Sequence, residues 1–292
     1  MSPPLVAVIT RTRNRPVFLA RALESVRRQR FEDWVHLIVN DGGERAPVEA
    51  LTTHPKTKTL HLSGVGRGRA ANEGLALATS TLVVFHDDDD TWHPDFLSTT
   101  VAQWKASGRR GVVCRSARVI ERVEGDRLVE LRREPFFPEL EALSIAELAR
   151  ENCFINLAFL AERQAVADVG GYDETLPLYE DWDFNLRFLA RFDVSVVPQV
   201  LAHYHHRDGA TGEQRNSFLQ DSARAADARA VLVNRWLRDP ERRHIGQLMA
   251  LGPSLTTLEA ISGRLDKLFN LMHGVRQTWP LRSLEAWLKP RS

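Results

Sequence analysis

The stretch TLVVFHDDDDTWHP, residues 81 to 94, decides the fold. Its first half is apolar without polar alternation, the pattern of a strand covered on both faces in a parallel sheet. Its second half sets four consecutive aspartates where that strand ends. Neighbouring carboxylates about 4 Å apart repel by roughly 1 kcal/mol per pair even at the dielectric of water, and by more where protein excludes it. The run therefore demands positive charge beside it. Hard oxygen ligands of this kind select magnesium, manganese or calcium, commonly together with a diphosphate. From the residues alone, a solvated acidic loop with Asp90 capping the next helix is the alternative.

Working outward, LVAVIT (5–10) and VHLIVN (35–40) repeat the buried-strand pattern. Helical patterns separate the strands. Leu19, Leu23 and Val26 share a face, with Asn14 as cap and Pro16 in the first turn. A second helix is predicted over Arg69–Thr79, and a third after Pro94 with Leu97, Val101 and Trp104 on one stripe. Strand and helix in alternation predict a doubly wound, mostly parallel sheet. Its strands run into RTRNR (11–15), NDGGE (40–44) and HDDDD (86–90), so three polar loops gather at the carboxyl edge, where open parallel sheets bind ligands. The glycines of GVGRGRAANEG (64–74) fit neither the dinucleotide nor the P-loop pattern.

From about residue 111 the pattern changes. VVCRSARVIERVEGDRLVELRR reads as a β-hairpin around EGDR, and Ser144 with Glu147 forms a capping box ahead of a short helix. LAERQAVADVGGYD predicts a helix closed by glycine, and Trp182, Leu186 and Leu189 share a face of the helix after it, whose start is acidic. Beyond residue 207 the chain reads as helical, with a basic patch RWLRDPERRH (235–244). Its final segment mixes Trp279 and Trp287 with Leu271, Met272, Arg276, Arg282 and Lys289. That mixture suits peripheral membrane contact or self-association, with packing onto the protein's own body as the alternative.

The 292 residues carry 38 acidic and 39 basic side chains, so no global field favours nucleic acid or an anionic membrane. The two cysteines, Cys114 and Cys153, sit in apolar neighbourhoods and read as buried thiols in a reducing compartment. The first residues lack a basic leader, and no apolar run approaches bilayer-spanning length, so a cytoplasmic body is expected.

Three blocks in order, VAVITRTRNRP through VNDGG, GRGRAANEG through FHDDDDTWHPDFL, and VGGYD through PLYEDWDFNLRFLARF to LAHYHH, resemble family 2 glycosyltransferases over about residues 4 to 207. The resemblance implies a GT-A fold: a Rossmann-like, mostly parallel central sheet flanked by helices. Here that gives a glycosyltransferase domain over 1–207, with a nucleotide-binding half to about 110 and an acceptor half after it, and a helical C-terminal extension over 208–292. It implies that Arg11, Arg13 and Asp41 grip the nucleotide base and that Arg67 and Arg69 face the diphosphate. The family often shows Ala-Arg-Asn where this chain has Ala71 and Asn72. Asp87 and Asp88 then lie nearer the ribose or ordered water, and Asp89 is the direct ligand of Mn2+ or Mg2+, with Asp90 leaving the register open by one. His205 is expected to complete the metal shell.

Glu180 and Asp181 match the block that holds the catalytic base of inverting members. A helix start stabilises a carboxylate as the anion, so Asp181 is expected ionised, with Asp183 as understudy and a simple cap as the alternative role. The function implied is metal-assisted transfer of a sugar, with inversion, from a nucleotide diphosphate sugar, UDP-linked, to a hydroxyl of a glycan, glycolipid or protein, as in polysaccharide biosynthesis. The rival readings are a metal-dependent phosphohydrolase or nucleotidyltransferase holding two ions, and a nucleotide-sugar-binding module without turnover.

Overall fold

The computed structural model describes residues 3–125, 127–208 and 222–278. Strands β1 (Val6–Thr12), β2 (Trp34–Asp41), β3 (Thr57–Leu62) and β4 (Leu82–Asp87) form a parallel sheet in the order β3-β2-β1-β4. Their apolar side chains fill both faces. Ala7, Ile9, Val39 and Val83 join one core cluster, while Val6, Val8, Leu82 and Val84 join the other. Helices α1 (Pro16–Arg27), α2 (Arg45–Leu51), α3 (Arg67–Leu77) and α4 (Phe96–Ser107) accompany these strands. The cap of α1 is Arg15, with Pro16 opening the first turn. Asn14, predicted to cap it, adopts a left-handed φ of 53° and accepts a bond from the Glu44 backbone N–H. Helix α3 lies so close to the sheet that a Cβ on Gly74 would stand 2.5 Å from Ile9 Cγ2, which only glycine permits.

Beyond β4 the sheet changes direction. The order continues β4-β8-β6-β9-β5, through β8 (Phe159–Glu162), β6 (Gly111–Glu124), β9 (Val194–Arg207) and the two-residue β5 (Thr91–Trp92). β8 is antiparallel to both neighbours, β9 runs parallel to β6, and β7 (Arg127–Phe136) pairs with β6 as the predicted hairpin. Helix α5 (Ile145–Arg150) carries the predicted capping box, Ser144 Oγ accepting from Glu147 N while Glu147 accepts from Ser144 N. Helices α6 (Arg163–Asp168) and α7 (Glu180–Leu189) complete this half. Cys114 and Cys153 are free and buried.

Helices α8 (Ser222–Arg238) and α9 (Arg243–Thr278) follow. Trp236, Ile245 and Met249 are buried in the main core. Gly252 abuts α5, where a Cβ would meet the Arg150 carbonyl oxygen at 2.7 Å. After that contact α9 turns apolar residues outward, including Leu258, Ile261, Leu265 and Leu268. Trp279, Arg282, Trp287 and Lys289 lie outside the described residues, as do the side chains of Leu271, Met272 and Arg276. Among the described residues, no helix is long and apolar enough to cross a membrane.

Candidate active site

The carboxyl ends of β1, β2 and β4 open onto a cleft of about 1110 Å³, walled on its far side by the start of α7, the 150–156 segment and the sheet face carrying Arg118, Phe136, Tyr204 and His206. Of the predicted residues, Arg11, Arg13, Asp41, Arg67, Asp87, Asp88, Asp89 and Asp181 line it. Arg69 instead faces outward on α3, 3.6 Å from Glu73 and half-exposed.

Each aspartate of the opening stretch finds a partner within the chain. Asp87 pairs with Arg11 at 2.9 Å. Asp88 accepts from Thr12 Oγ1 at 2.7 Å and from Arg15 at 3.1 Å. Asp89 Oδ2 meets Arg207 at 2.6 Å and Arg15 at 3.1 Å. Asp90 accepts from the His205 backbone N–H at 2.8 Å. Burial favours the protonated form of Asp88, Asp89 and Asp90, and the guanidiniums oppose it. Arg207 and Arg15 pull Asp89 down to about 2. Burial and the Asp89 charge push Asp88 up to about 6, with Arg15 opposing. Asp90, desolvated beside Asp89 and Asp87, is pushed well up from the usual carboxylate range.

Asp41 receives Val65 N–H on one oxygen, at 2.6 Å, and Gly66 N–H on the other, at 3.0 Å, fixing the loop that opens α3. Arg11 links three elements: it bonds Asp87, donates to the Arg67 carbonyl at 3.0 Å and approaches Glu180 at 3.7 Å. Arg67 Nε reaches the same Glu180 oxygen at 3.1 Å.

At the start of α7 the three acids diverge. Glu180 is occupied by Arg67 and Arg11. Asp183 accepts from Trp236 Nε1 at 3.0 Å and pairs with Arg187 at 2.7 Å, which makes it a brace between α7 and α8. Asp181 accepts from two neutral donors, Asn152 Nδ2 at 3.1 Å and the Trp182 backbone N–H at 2.8 Å. It stands at the second position of the helix, with Tyr179 as cap. The helix start is one of several influences on its charge, and a carboxyl near 6 is ionised at neutral pH. Burial and the adjacent Glu180 outweigh Arg67 and the helix N–H groups, and raise its carboxyl to about 6.

The expected metal shell does not assemble. His205 Nδ1 lies 2.8 Å from Glu121, and Nε2 lies 2.9 Å from Thr91 Oγ1, so both ring nitrogens turn away from Asp89. Asp89 itself spends one oxygen on two guanidiniums. Among the described residues, no group of three or more histidine, cysteine, aspartate or glutamate side chains is arranged to hold a metal ion. The donor set present does not fit one. Glu121, Arg21, Arg207 and Asn152 take part in these networks without having been singled out in the sequence. They sit on two strands, helix α1 and a loop, whose local pattern gives no sign of partners up to 118 residues away.

Residues 7–162 match the family described as Glycosyl transferase family 2, and residues 144–244 match Glycosyltransferase like family 2. The chain belongs to glycosyl transferase family 2. A curated relative, the uncharacterized glycosyltransferase YwdF of Bacillus subtilis, is 24% identical over 225 residues, which are 73% of this chain and 81% of that protein. Other curated relatives are longer: the chain spans 35%, 18% and 29% of three of them. Two solved structures share the fold. S. aureus TarS 1-349 in complex with UDP-GlcNAc aligns with a TM-score of 0.64 at 19% identity, over 84% of this chain and 70% of that one. The mannosyltransferase PcManGT from Pyrobaculum calidifontis, in complex with GDP-Man and Mn2+, aligns at 0.59 and 15% identity, over 97% and 84%. The architecture is thus of the GT-A kind, with a helical C-terminal extension.

Proposed function

We propose that the protein transfers a sugar, with inversion, from a nucleotide diphosphate sugar, UDP-linked, to an acceptor hydroxyl, and that Asp181 is the base. The observation that carries this is the state of Asp181: a cleft-lining carboxylate, raised to about 6, held by Asn152 and one backbone N–H, while its acidic neighbours are engaged by cations or the α8 tryptophan. A base of that strength is ionised at neutral pH and releases its proton readily afterwards. The acceptor oxygen attacks the anomeric carbon and gives its proton to Asp181. The anomeric carbon–oxygen bond breaks with its electron pair going to the departing diphosphate. A single proton acceptor at the reacting centre suits direct displacement, and inversion follows from it.

In this reading the nucleotide occupies the β1–β2–β4 side. Asp41, oriented by two backbone N–H groups, presents an acceptor to the imide N–H of uracil. Arg11, Arg13 and Arg67 line the donor path, and Asp87 and Asp88 face the ribose. The bound UDP-GlcNAc of the TarS structure supports a UDP donor, and the bound GDP-Man of PcManGT marks the alternative base. The hairpin face with Arg118, Phe136 and Tyr204 offers ring-stacking and cationic contacts for a glycan, glycolipid or glycoprotein acceptor. The outward apolar residues of α9 support self-association or contact with a membrane surface.

A thermal-shift and calorimetric panel of UDP-, GDP- and other nucleotide sugars tests the donor. UDP compounds are expected to stabilise the protein most. Absence of any shift with every nucleoside diphosphate overturns the reading.

A further inference from the structure

The acidic run is furnished with cations from inside the chain, and those cations occupy the place that a divalent ion would need. We infer that Arg15 and Arg207 take over the charge-balancing role at the donor diphosphate, so that donor binding and sugar transfer by this chain proceed without a divalent metal ion. The inference rests on the nucleotide-sugar reading above.

Arg207 reaches Asp89 Oδ2 at 2.6 Å and its side chain is 0% exposed. It arrives from β9, beneath the aspartate run, with its guanidinium 4.6 Å from the centre of the Phe18 ring. Arg15 arrives from the β1–α1 loop and bridges Asp88 and Asp89 at 3.1 Å each. It also lines the cleft. One arginine thus neutralises Asp89 from below, while the other lies between the aspartates and the space above them.

Guanidinium stays protonated at any working pH, so neither group vacates Asp89 by losing its charge. A divalent ion bound to Asp89 would sit at about 2.0–2.6 Å from a carboxylate oxygen. It would share that carboxylate with a buried cation that has no solvent path of escape. Two cations so close, one fixed in a low-dielectric wall, repel strongly. The second candidate ligand, His205, is committed to Glu121 and Thr91, and Glu121 is in turn held by Arg21 at 2.5 Å. Both predicted ligands, Asp89 and His205, are thus engaged by partners from within the chain. Planar guanidinium also suits a diphosphate chemically, because its fork of N–H groups matches phosphate oxygens two at a time. Arg15 is accordingly placed to touch the diphosphate, and Arg207 is a positioning residue acting through Asp89.

The test is calorimetric titration of UDP into the 292-residue chain with EDTA and, separately, with excess manganese. The expected Kd values agree within about threefold, and a larger tightening by manganese overturns the inference. If neither UDP nor GDP binds under either condition, the nucleotide-sugar reading fails and this inference fails with it, which is a different result from metal-dependent binding. Arg207→Met supplies the second readout. Removing the buried cation opens Asp89 to a metal, so UDP binding is expected to weaken in EDTA and to recover in manganese, whereas Arg207→Lys keeps metal independence. A merely structural Arg207 would lower the melting temperature without creating a manganese response, and that outcome overturns the role given to it. For Arg15→Met, UDP affinity is expected to fall by roughly tenfold or more while uridine affinity stays unchanged. An equal loss for both overturns the diphosphate contact and holds even if the Arg207 variants fail to fold.

Discussion

Two acidic clusters line the cleft, and the chain treats one member of each, Asp89 and Asp181, in opposite ways. At the end of β4, Asp87 pairs with Arg11, and Asp89 meets both Arg15 and Arg207 and is drawn down to about 2. At the start of α7, Glu180 and Asp183 receive cations, but Asp181 receives amides and is pushed up to about 6. The same side chain is an unreactive anion in one place and a proton acceptor in the other. Local sequence does not set this difference, since both clusters are short acidic runs. The identity of the donor that each carboxylate meets in three dimensions sets it.

The strongest way to break this contrast is Asp181→Asn. Loss of the base is expected to slow transfer by roughly a hundredfold to ten-thousandfold with UDP affinity unchanged. Stability has its own sign. The folded-state value of Asp181 lies above the ordinary carboxylate value near 3.9, so the folded protein binds this proton more tightly than the unfolded chain. Its contribution to stability is fully present below about pH 4 and is lost as pH rises through about 6. The asparagine variant, free of that loss, is expected to melt no lower than the parent at pH 8. Near-native turnover with a lowered melting temperature would return Asp181 to a structural role.

A pH profile sharpens the contrast next. Turnover is expected to fall by about tenfold per unit below pH 6, as Asp181 takes up a proton. Asp89, with its value near 2, contributes stability above the ordinary carboxylate range and loses it only as pH falls through about 4 toward 2. A rate that is flat down to pH 4.5 would separate the base from Asp181.

Asp183→Asn probes the neighbour that the chain uses as a brace. It gives up the Arg187 pair and leaves that nearly buried guanidinium without its counter-charge. We expect a stability loss of about 2–3 kcal/mol with turnover within about tenfold of the parent, seen by denaturant melts and initial rates. The smallest effect belongs to Asn152→Ala. Removing a neutral donor from Asp181 is expected to move the acidic limb of the profile upward by a few tenths of a unit and to cost about tenfold or less in rate. An unmoved limb would mean that Asn152 does not tune the base.

Much of this arrangement was readable in advance. The buried strands β1, β2 and β4 announced themselves by unbroken apolar runs, and the polar loops that follow them could be placed at one edge because parallel strands share a direction. The capping box at Ser144 and the hairpin were legible because their determinants lie within a few residues of each other. What failed was long-range. Asn14 looked like a helix cap but bonds the Glu44 backbone across the β2 loop. His205 looked like a metal ligand until Glu121 and Thr91, 84 and 114 residues distant, claimed its nitrogens. The helix start pointed to an anion at Asp181, but the burial that raises its carboxyl to about 6 comes from segments no local window contains.

The two thiols offer a clock for the wall that holds the base. Cys153 adjoins Asn152, and its burial pushes the thiol up to about 12, so it stays protonated and inert while that segment is closed. Cys114 sits inside the sheet with the same inertness. An alkylating reagent therefore reads two different openings in one experiment. Modification of Cys114 reports collapse of the whole sheet. Any faster modification of Cys153 reports how often the Asn152 segment alone lifts away, a breathing rate for the acceptor-side wall measured without substrate.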